Sequence, residues 1–212
     1  MKNTAKLILE DLIAKYPALS VCESDILKTF DFARQTYQNG GKILVCGNGG
    51  SAADSEHIVG ELMKNFKKCR KPCADLLANL EDCEESKKLK EVLEGNLPAI
   101  SLTSHVSLTT AYSNDKEPSA VFAQQLSGLG KKGDTFIAIS TSGNSLNCVY
   151  ACLVAKALGL NTVAFTGKKE SRLSSLSDVC VKVPETETYK IQEYHLPVYH
   201  AICAMLEEEF FE

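Results

Sequence analysis

Short apolar runs alternate with helical patterns along most of the chain. Five runs rich in β-branched residues are bounded by glycine, proline or polar residues, which is typical of buried strands. These strands are predicted at residues 42–46, 98–103, 134–140, 161–166 and 179–183. Helices are predicted at 116–128 and 146–158, and a long closing helix at 189–211. The alternation predicts an α/β fold with helices on both faces of a parallel sheet.

Two further helices are predicted before the first strand. The first has an apolar stripe at helical spacing and ends near Pro17, and the second ends at Asn39 before two glycines. We expect residues 1–39 to pack on the sheet or on another subunit of an oligomer. Residues 67–96 begin with a basic cluster and continue as a charged, helix-prone stretch, which we interpret as an insertion that is either a lid or a solvated excursion. The whole chain, 1–212, is expected to form one domain.

The composition favours a globular protein and argues against nucleic-acid-binding and membrane-spanning proteins. The chain is 44% apolar and 24% charged, as in a soluble globular protein, and its net charge of −4 argues against a general nucleic-acid binder. We find no apolar stretch long enough to span a membrane and no secretory signal, so we expect a cytoplasmic protein whose nine cysteines are reduced. Cys69, Cys73 and Cys83 leave a structural zinc site as an alternative, although a second matched pair is missing.

The first strand leads into a glycine-rich turn. Asn48, Gly49 and Gly50 follow the strand, and a helix is predicted to start with Ser51 as its N-cap. The backbone N–H groups and dipole of a helix N-terminus favour an anion. The same turn also fits the loose dinucleotide fingerprint, but no strand ending in an acidic residue follows about 20 residues later.

The predicted helix carries a candidate pair for acid–base or metal chemistry. His57 and Glu61 are four residues apart, so they lie on one face. Because such pairs are common on helix surfaces, an ordinary solvent-exposed pair is the alternative.

A second polar loop follows the strand at 134–140. Ser140, Thr141, Ser142 and Ser145 offer hydroxyl and amide donors at a strand-to-helix turn, and none of them is charged. This arrangement suits a phosphate monoester, whereas the simpler alternative is a serine-rich N-cap. Ligands of parallel sheets bind at the carboxyl ends of the strands, so two such loops predict one phosphate site there.

Three segments carry a family resemblance. GNGGSAADSEHIVGEL, AISTSGNS and KIQEYHLPVYH, in this order, resemble the sugar isomerase (SIS) domain and, within it, the phosphoheptose isomerase group. The resemblance spans residue 40 to the C-terminus, except for 67–96. It implies a three-layer α-β-α, flavodoxin-like fold with a five-stranded parallel sheet, N-terminal helices and a long C-terminal helix. It also implies a homotetramer with active sites between subunits.

The resemblance implies roles for particular residues. The phosphate of a small phosphorylated sugar is expected to bind Ser51 and the loop at Ser140, Thr141, Ser142 and Ser145, together with the turn at 48–50. Glu61 and His200 correspond to the acid–base pair, and zinc in metal-containing members corresponds to His57, Glu61, Gln192 and His200. Spacing alone does not choose between His195 and His200 as the partner of Gln192, so that choice comes from the resemblance. The implied reaction is the enediol isomerisation of sedoheptulose 7-phosphate to glycero-manno-heptose 7-phosphate.

Some positions depart from the family pattern and leave other functions open. Asn65, His105 and Tyr189 replace residues that are often Arg, Asp and Asp, respectively, in the group. These positions lie where the hydroxyls of a sugar are read, so another sugar phosphate is an alternative substrate. Further alternatives are a non-catalytic phosphosugar sensor, a replication-initiation partner, and a deaminating isomerase or lyase of the same fold.

Overall fold

The computed structural model describes residues 1–211, and its five strands form one parallel sheet with the order β2-β1-β3-β4-β5. The strands are β1 (Ile43–Gly47), β2 (Ala99–Ser101), β3 (Thr135–Ile139), β4 (Asn161–Thr166) and β5 (Val179–Lys182). All five lie within or next to the predicted ranges, and the strand order is that of flavodoxin-like folds. The sequence-based prediction of the fold is therefore confirmed.

Helices cover both faces of the sheet. They are α1 (Asn3–Lys15), α2 (Glu23–Gln38), α3 (Gly50–Met63), α4 (Ala74–Ala78), α5 (Glu84–Val92), α6 (Val106–Asp115), α7 (Val121–Leu129), α8 (Leu146–Leu158), α9 (Arg172–Leu176) and α10 (Thr188–Phe210). Within residues 1–211, no helix is long and apolar enough to cross a membrane.

Two apolar cores define the three layers. One core joins α1, α2, α3 and α10 to one face of the sheet, with Ile43, Val45 and Ile137 pointing into it. The other joins α7 and α8 to the opposite face, with Leu44 and Phe136 pointing into it. Successive side chains of a strand point to opposite faces, so β1 supplies apolar residues to both cores and reads as a continuous apolar run.

The structure corrects several local predictions. Helix α3 begins at Gly50 and its N-cap is Gly49, so the prediction that Ser51 is the N-cap was wrong. The helix predicted at 116–128 begins only at Val121, after a short 3₁₀ turn. Helices α6 and α9 were not predicted; α6 buries none of its residues and so shows little apolar periodicity.

The segment at 67–96 starts and ends at nearly the same point. The backbone N–H of Gly95 donates to the carbonyl of Arg70 over 2.8 Å. Nearby, the Glu94 carboxylate accepts the N–H of Asn65 over 2.8 Å. The two helices between these contacts, α4 and α5, are mostly exposed and bury only Ser86. The role of this segment as an insertion or lid stays a prediction.

Candidate active site

The loops after β1 and β3 meet because these two strands are neighbours in the sheet. The side-chain amides of Asn48 and Asn147 exchange two hydrogen bonds, of 3.0 and 2.8 Å, between the loops. Asn147 was not predicted as a site residue, because an asparagine in the first turn of a helix has no distinctive pattern. The pair fixes the two loops relative to each other.

Neither helix that begins at these loops is capped by a side chain. Ser145 occupies the N-cap position of α8, but its Oγ accepts a hydrogen bond from Ser140 Oγ over 3.0 Å and makes no cap bond. Ser51 and Ser140 are both buried at the loops. The Ser51 N–H donates to the Asn48 carbonyl and the Cys148 N–H to Asn147 Oδ1, so some of the first N–H groups are already satisfied. In the described residues, the N–H groups of Gly50, Leu146 and Asn147 have no acceptor and are left for a ligand, as expected for a phosphate site.

A cavity of about 220 Å³ opens beside the second loop. Thr141 and Ser142 line it together with Lys168 and Glu185. Lys168 follows β4, the next strand in the sheet, and lines the cavity with Lys169, opposite the acidic Glu170 and Glu185. Sequence reasoning missed Lys168, because one lysine among several on the surface carries no distinguishing pattern.

Three candidate ligands converge between α3 and α10. His57 Nε2 lies 3.0 Å from Glu61 Oε1 and 3.4 Å from His200 Nε2. One nitrogen or oxygen of each of the three residues lies within 4.8 Å of the others. Burial, and then the charge of His57, lower the pKa of His200, while Glu61 acts in the opposite direction. The cluster is thus more than a surface pair on one helix, because it joins α3 to a residue 143 positions later.

The donor set fits a zinc ion. Two imidazoles and a carboxylate are common zinc ligands. Glu61 Oε2 is buried and has no hydrogen-bond partner, so this oxygen is free for a cation or a proton. Within residues 1–211, no cluster of three potential ligands includes Cys69, Cys73 or Cys83.

Gln192 lies beside the first residue of α3. A side chain at Gly50 would place its Cβ 2.6 Å from Gln192 Nε2, so the amide packs directly on the glycine backbone. Gln192 is two helical turns from His200 on α10, and it faces the N-terminal end of α3, where the phosphate is predicted to bind.

His195, the other candidate partner of Gln192, lies in the core rather than in this cluster. It is fully buried against Phe165, and its Nε2 is 3.4 Å from the carbonyl oxygen of Thr166. Burial lowers the pKa of His195 to about 4.

A buried ion pair holds the end of α3 to α10. Arg70 and Glu207, whose side chains are 0% and 1% exposed, bind each other through Nε and Oε1 over 2.7 Å. The Arg70 guanidinium also donates to the carbonyls of Glu61 and Leu62. Glu207 accepts three backbone N–H groups from residues 66–68. Although burial opposes it, these donors and Arg70 hold the pKa of Glu207 below its usual range. The contacts connect the backbone of Glu61 to the helix that carries His200.

A tyrosine hydroxyl contacts the Nδ1 atom of His57, on the side of the ring away from Glu61. Tyr199 is buried, and its hydroxyl lies 3.0 Å from His57 Nδ1 and 3.2 Å from Asp54 Oδ1. Burial, and then the charge of Asp54, raise the pKa of the Tyr199 phenol. Burial also raises the pKa of Asp54, while the Tyr199 hydrogen bond and the His57 charge act against it. Neither Asp54 nor Tyr199 was predicted as a site residue.

Comparison with known proteins identifies the family. The family profile described as "SIS domain" matches residues 18–95 and 89–167. The chain belongs to the SIS domain family. A phosphoheptose isomerase of Aneurinibacillus thermoaerophilus is 40% identical over 84% of this chain and 78% of its own length. That of Akkermansia muciniphila is 35% identical over 92% of this chain and 91% of its own length.

A solved structure of a phosphoheptose isomerase has a similar fold. Phosphoheptose isomerase GmhA of Neisseria gonorrhoeae superposes with a TM-score of 0.74 and 30% identity, covering 97% of each chain. Together with the curated relatives, this similarity assigns the chain to the phosphoheptose isomerase group of the SIS domain family.

The three positions that depart from the SIS group pattern have separate surroundings. The Asn65 Oδ1 accepts the backbone N–H of Arg70 over 2.8 Å. His105 Nδ1 lies 2.6 Å from Gln125 Oε1, and Tyr189 is exposed. Asn65 thus stabilises the loop that presents Arg70 to α3.

Proposed function

We propose that this protein is a phosphosugar aldose–ketose isomerase that converts sedoheptulose 7-phosphate to glycero-manno-heptose 7-phosphate. The observation that carries the proposal is the convergence of Glu61, His57 and His200. This cluster lies in a SIS domain in which helices α3 and α8 begin without a side-chain cap. The similarity to phosphoheptose isomerases supports the choice of a seven-carbon sugar.

The phosphate is proposed to bind the N–H groups and hydroxyls of the two loops. Ser51, Ser140, Thr141, Ser142 and Ser145 supply these donors. The phosphate does not react, so its binding energy orients the sugar chain toward Glu61. The adjoining cavity is lined by Lys168 and Lys169 and also by Glu170 and Glu185, so it adds no net charge beside the phosphate.

Glu61 is proposed to be the base. Its carboxylate, which is 13% exposed beside His57, would take the proton from the carbon beside the carbonyl of the open-chain sugar. An enediol forms, and the proton returns to the neighbouring carbon. His200 is proposed to act from the other side as the acid, moving a proton between the two sugar oxygens. The two residues come from different helices, so the sugar would lie between α3 and α10.

Zinc is the proposed cofactor, held by His57, Glu61, His200 and Gln192. When bound, such an ion polarises the carbonyl and hydroxyl oxygens of a sugar and stabilises negative charge on them. Gln192 would approach this set from the N-terminal end of α3, where it packs on Gly50.

The proposed assembly is a cytoplasmic homotetramer. Helix α6 buries none of its residues, and its Val106 is 70% exposed. Leu108 on the same helix is also exposed. A second copy covering α6 would remove this apolar surface from water.

A comparison of wild type with Glu61→Gln tests the function. Zinc-loaded wild type should convert sedoheptulose 7-phosphate to the aldose, whereas Glu61→Gln should lose at least about 100-fold in kcat, as expected for a general base. Glu10→Gln is the matched control, because Glu10 is an exposed carboxylate paired with Lys6 on α1. Binding of the sugar phosphate by wild type without turnover would contradict the proposal and favour a sensor. Turnover of Glu61→Gln within a few-fold of wild type would contradict the role of Glu61.

A further inference from the structure

The Tyr199 hydroxyl joins a carboxylate to an imidazole. It lies 3.2 Å from Asp54 Oδ1 and 3.0 Å from His57 Nδ1. A phenol has one proton, so it donates to one of these neighbours and accepts from the other. An ionised carboxylate only accepts hydrogen bonds, so the Tyr199 proton points to Asp54. The Tyr199 oxygen then accepts a hydrogen bond from His57 Nδ1–H.

The alternative direction is less favourable. If Tyr199 donated to His57 Nδ1, its oxygen would face the Asp54 carboxylate at 3.2 Å with no proton between them. Asp54 Oδ2 is already buried without a hydrogen-bond partner, so the carboxylate would then receive no side-chain donor at all in the described residues. Glu61 Oε1 lies 3.0 Å from His57 Nε2 and competes for the imidazole proton as a second charged acceptor. A bound metal ion would take the place of a proton at Nε2 and leave the proton on Nδ1, which favours donation from Tyr199 to Asp54.

This direction decides which nitrogen of His57 is free. With the proton on Nδ1, the lone pair of Nε2 points to Glu61 Oε1 at 3.0 Å and to His200 Nε2 at 3.4 Å. Lone pairs that converge at these distances repel each other unless a proton or a cation lies among them. The hydrogen bonds that join Asp54, Tyr199 and His57 thus leave the His57 Nε2 lone pair available to bind a metal ion.

We propose that Asp54 and Tyr199 are positioning residues that fix the tautomer of His57 for binding a divalent metal ion. The proposal deepens the proposed function, because it concerns the same metal site. In many metal sites the ligating histidine donates its second N–H to an outer partner, and loss of that partner weakens metal binding about 10- to 100-fold. Here the outer partner would be a tyrosine that is itself oriented by a carboxylate.

The substitution Tyr199→Phe removes the hydroxyl and keeps the ring, so it tests the hydroxyl alone. The ring packs edge-on against His57 and His200, with centroids 5.5 and 4.9 Å away, and phenylalanine keeps these contacts. Tyr37→Phe is the matched control, because the Tyr37 hydroxyl is also buried but has no hydrogen-bond partner. Asp54→Asn tests the direction of the two hydrogen bonds in this relay, from His57 Nδ1–H to Tyr199 and from Tyr199 to Asp54. An amide can donate to the Tyr199 oxygen, and Tyr199 would then donate to His57 Nδ1 instead.

The first measurement is zinc affinity, by competition with a chromophoric chelator. We expect Tyr199→Phe and Asp54→Asn to bind zinc about 10- to 100-fold more weakly than wild type, and Tyr37→Phe to match wild type. Equal zinc affinity in Tyr199→Phe and wild type would overturn the proposal. Equal weakening in Tyr37→Phe would also overturn it, since the effect would then come from packing.

The second measurement needs neither metal nor turnover. Nitrogen-15 NMR of the metal-free protein at alkaline pH, where imidazoles are neutral, reports which nitrogen of His57 carries the proton. We expect Nδ1–H in wild type and a shift toward Nε2–H in Tyr199→Phe. A wild type protonated mainly on Nε2 would overturn the relay. If wild type bound no zinc, the proposed metal site would fail on its own, and the NMR result would still decide the relay.

Discussion

The buried His195 should make the stability of this protein depend on pH in a defined window. Burial lowers its pKa in the folded state from 6.5 to about 4. The unfolded chain therefore gains a proton below pH 6.5, while the folded protein stays neutral until the pH approaches 4. Unfolding becomes more favourable as the pH falls through this window.

The magnitude follows from the two pKa values. A difference of one pH unit corresponds to 1.36 kcal/mol, so the loss in free energy of unfolding due to His195 is about 3 kcal/mol between neutral pH and pH 4. His195→Gln removes this contribution and keeps a donor for the carbonyl of Thr166. We expect the free energy of unfolding of the variant to fall about 3 kcal/mol less than that of wild type over the same range.

Urea unfolding at a series of pH values, followed by far-UV circular dichroism at one protein concentration, measures this difference. His105→Gln is the control, because it removes an imidazole at the start of α6 instead of one in the core. Parallel curves of stability against pH for wild type and His195→Gln would refute the reasoning.

Three further substitutions test the buried Arg70–Glu207 ion pair, the Lys42–Asp134 pair and the loop after β3. Glu207→Gln leaves Arg70 buried without its charge partner and should cost about 3–5 kcal/mol of stability and lower kcat; urea unfolding and steady-state kinetics check this. Asp134→Asn breaks the Lys42–Asp134 pair at the opposite end of the sheet and should lower stability while preserving kcat. Gly143→Ala should cost about 1–3 kcal/mol and raise KM for the sugar phosphate, since Gly143 has φ +64° and an added Cβ would collide with Ser171; an unchanged KM would contradict this.

Much of the fold could be predicted from local patterns. The strands at 135–139 and 161–166 are apolar runs buried on both faces, so composition alone marks them. Helix α6 escaped prediction because its sequence, VSLTTAYSND, has no apolar stripe facing this chain's core. The N-cap of helix α3 is Gly49, at φ 57°, two residues before the predicted N-cap Ser51.

The site could be predicted only in part. The spacing of His57 and Glu61 placed both on one face, but spacing left His195 and His200 open, and the resemblance supplied His200. The structure separates the two by burial. Tyr199 resembles an ordinary core aromatic in the sequence, because the partner of its hydroxyl lies 145 positions earlier.

Arg70 was also hidden from sequence reasoning. It stands in a basic cluster that reads as solvent-exposed, yet its side chain is buried with Glu207, 137 positions later. Contacts over such separations depend on how helices pack on the sheet, which no local pattern specifies.

The backbone contact between Arg70 and Gly95 closes the segment between them into a loop. Their hydrogen bond joins the two ends, and a side chain at Gly95 would put its Cβ 2.5 Å from the Lys71 carbonyl, so the ends pass each other in direct contact. Closing a loop costs only about 0.6 kcal/mol more for each doubling of its length. We therefore expect that a short turn, an affinity tag or a fluorescent reporter could replace residues 72–93 without moving the backbone that carries Glu61.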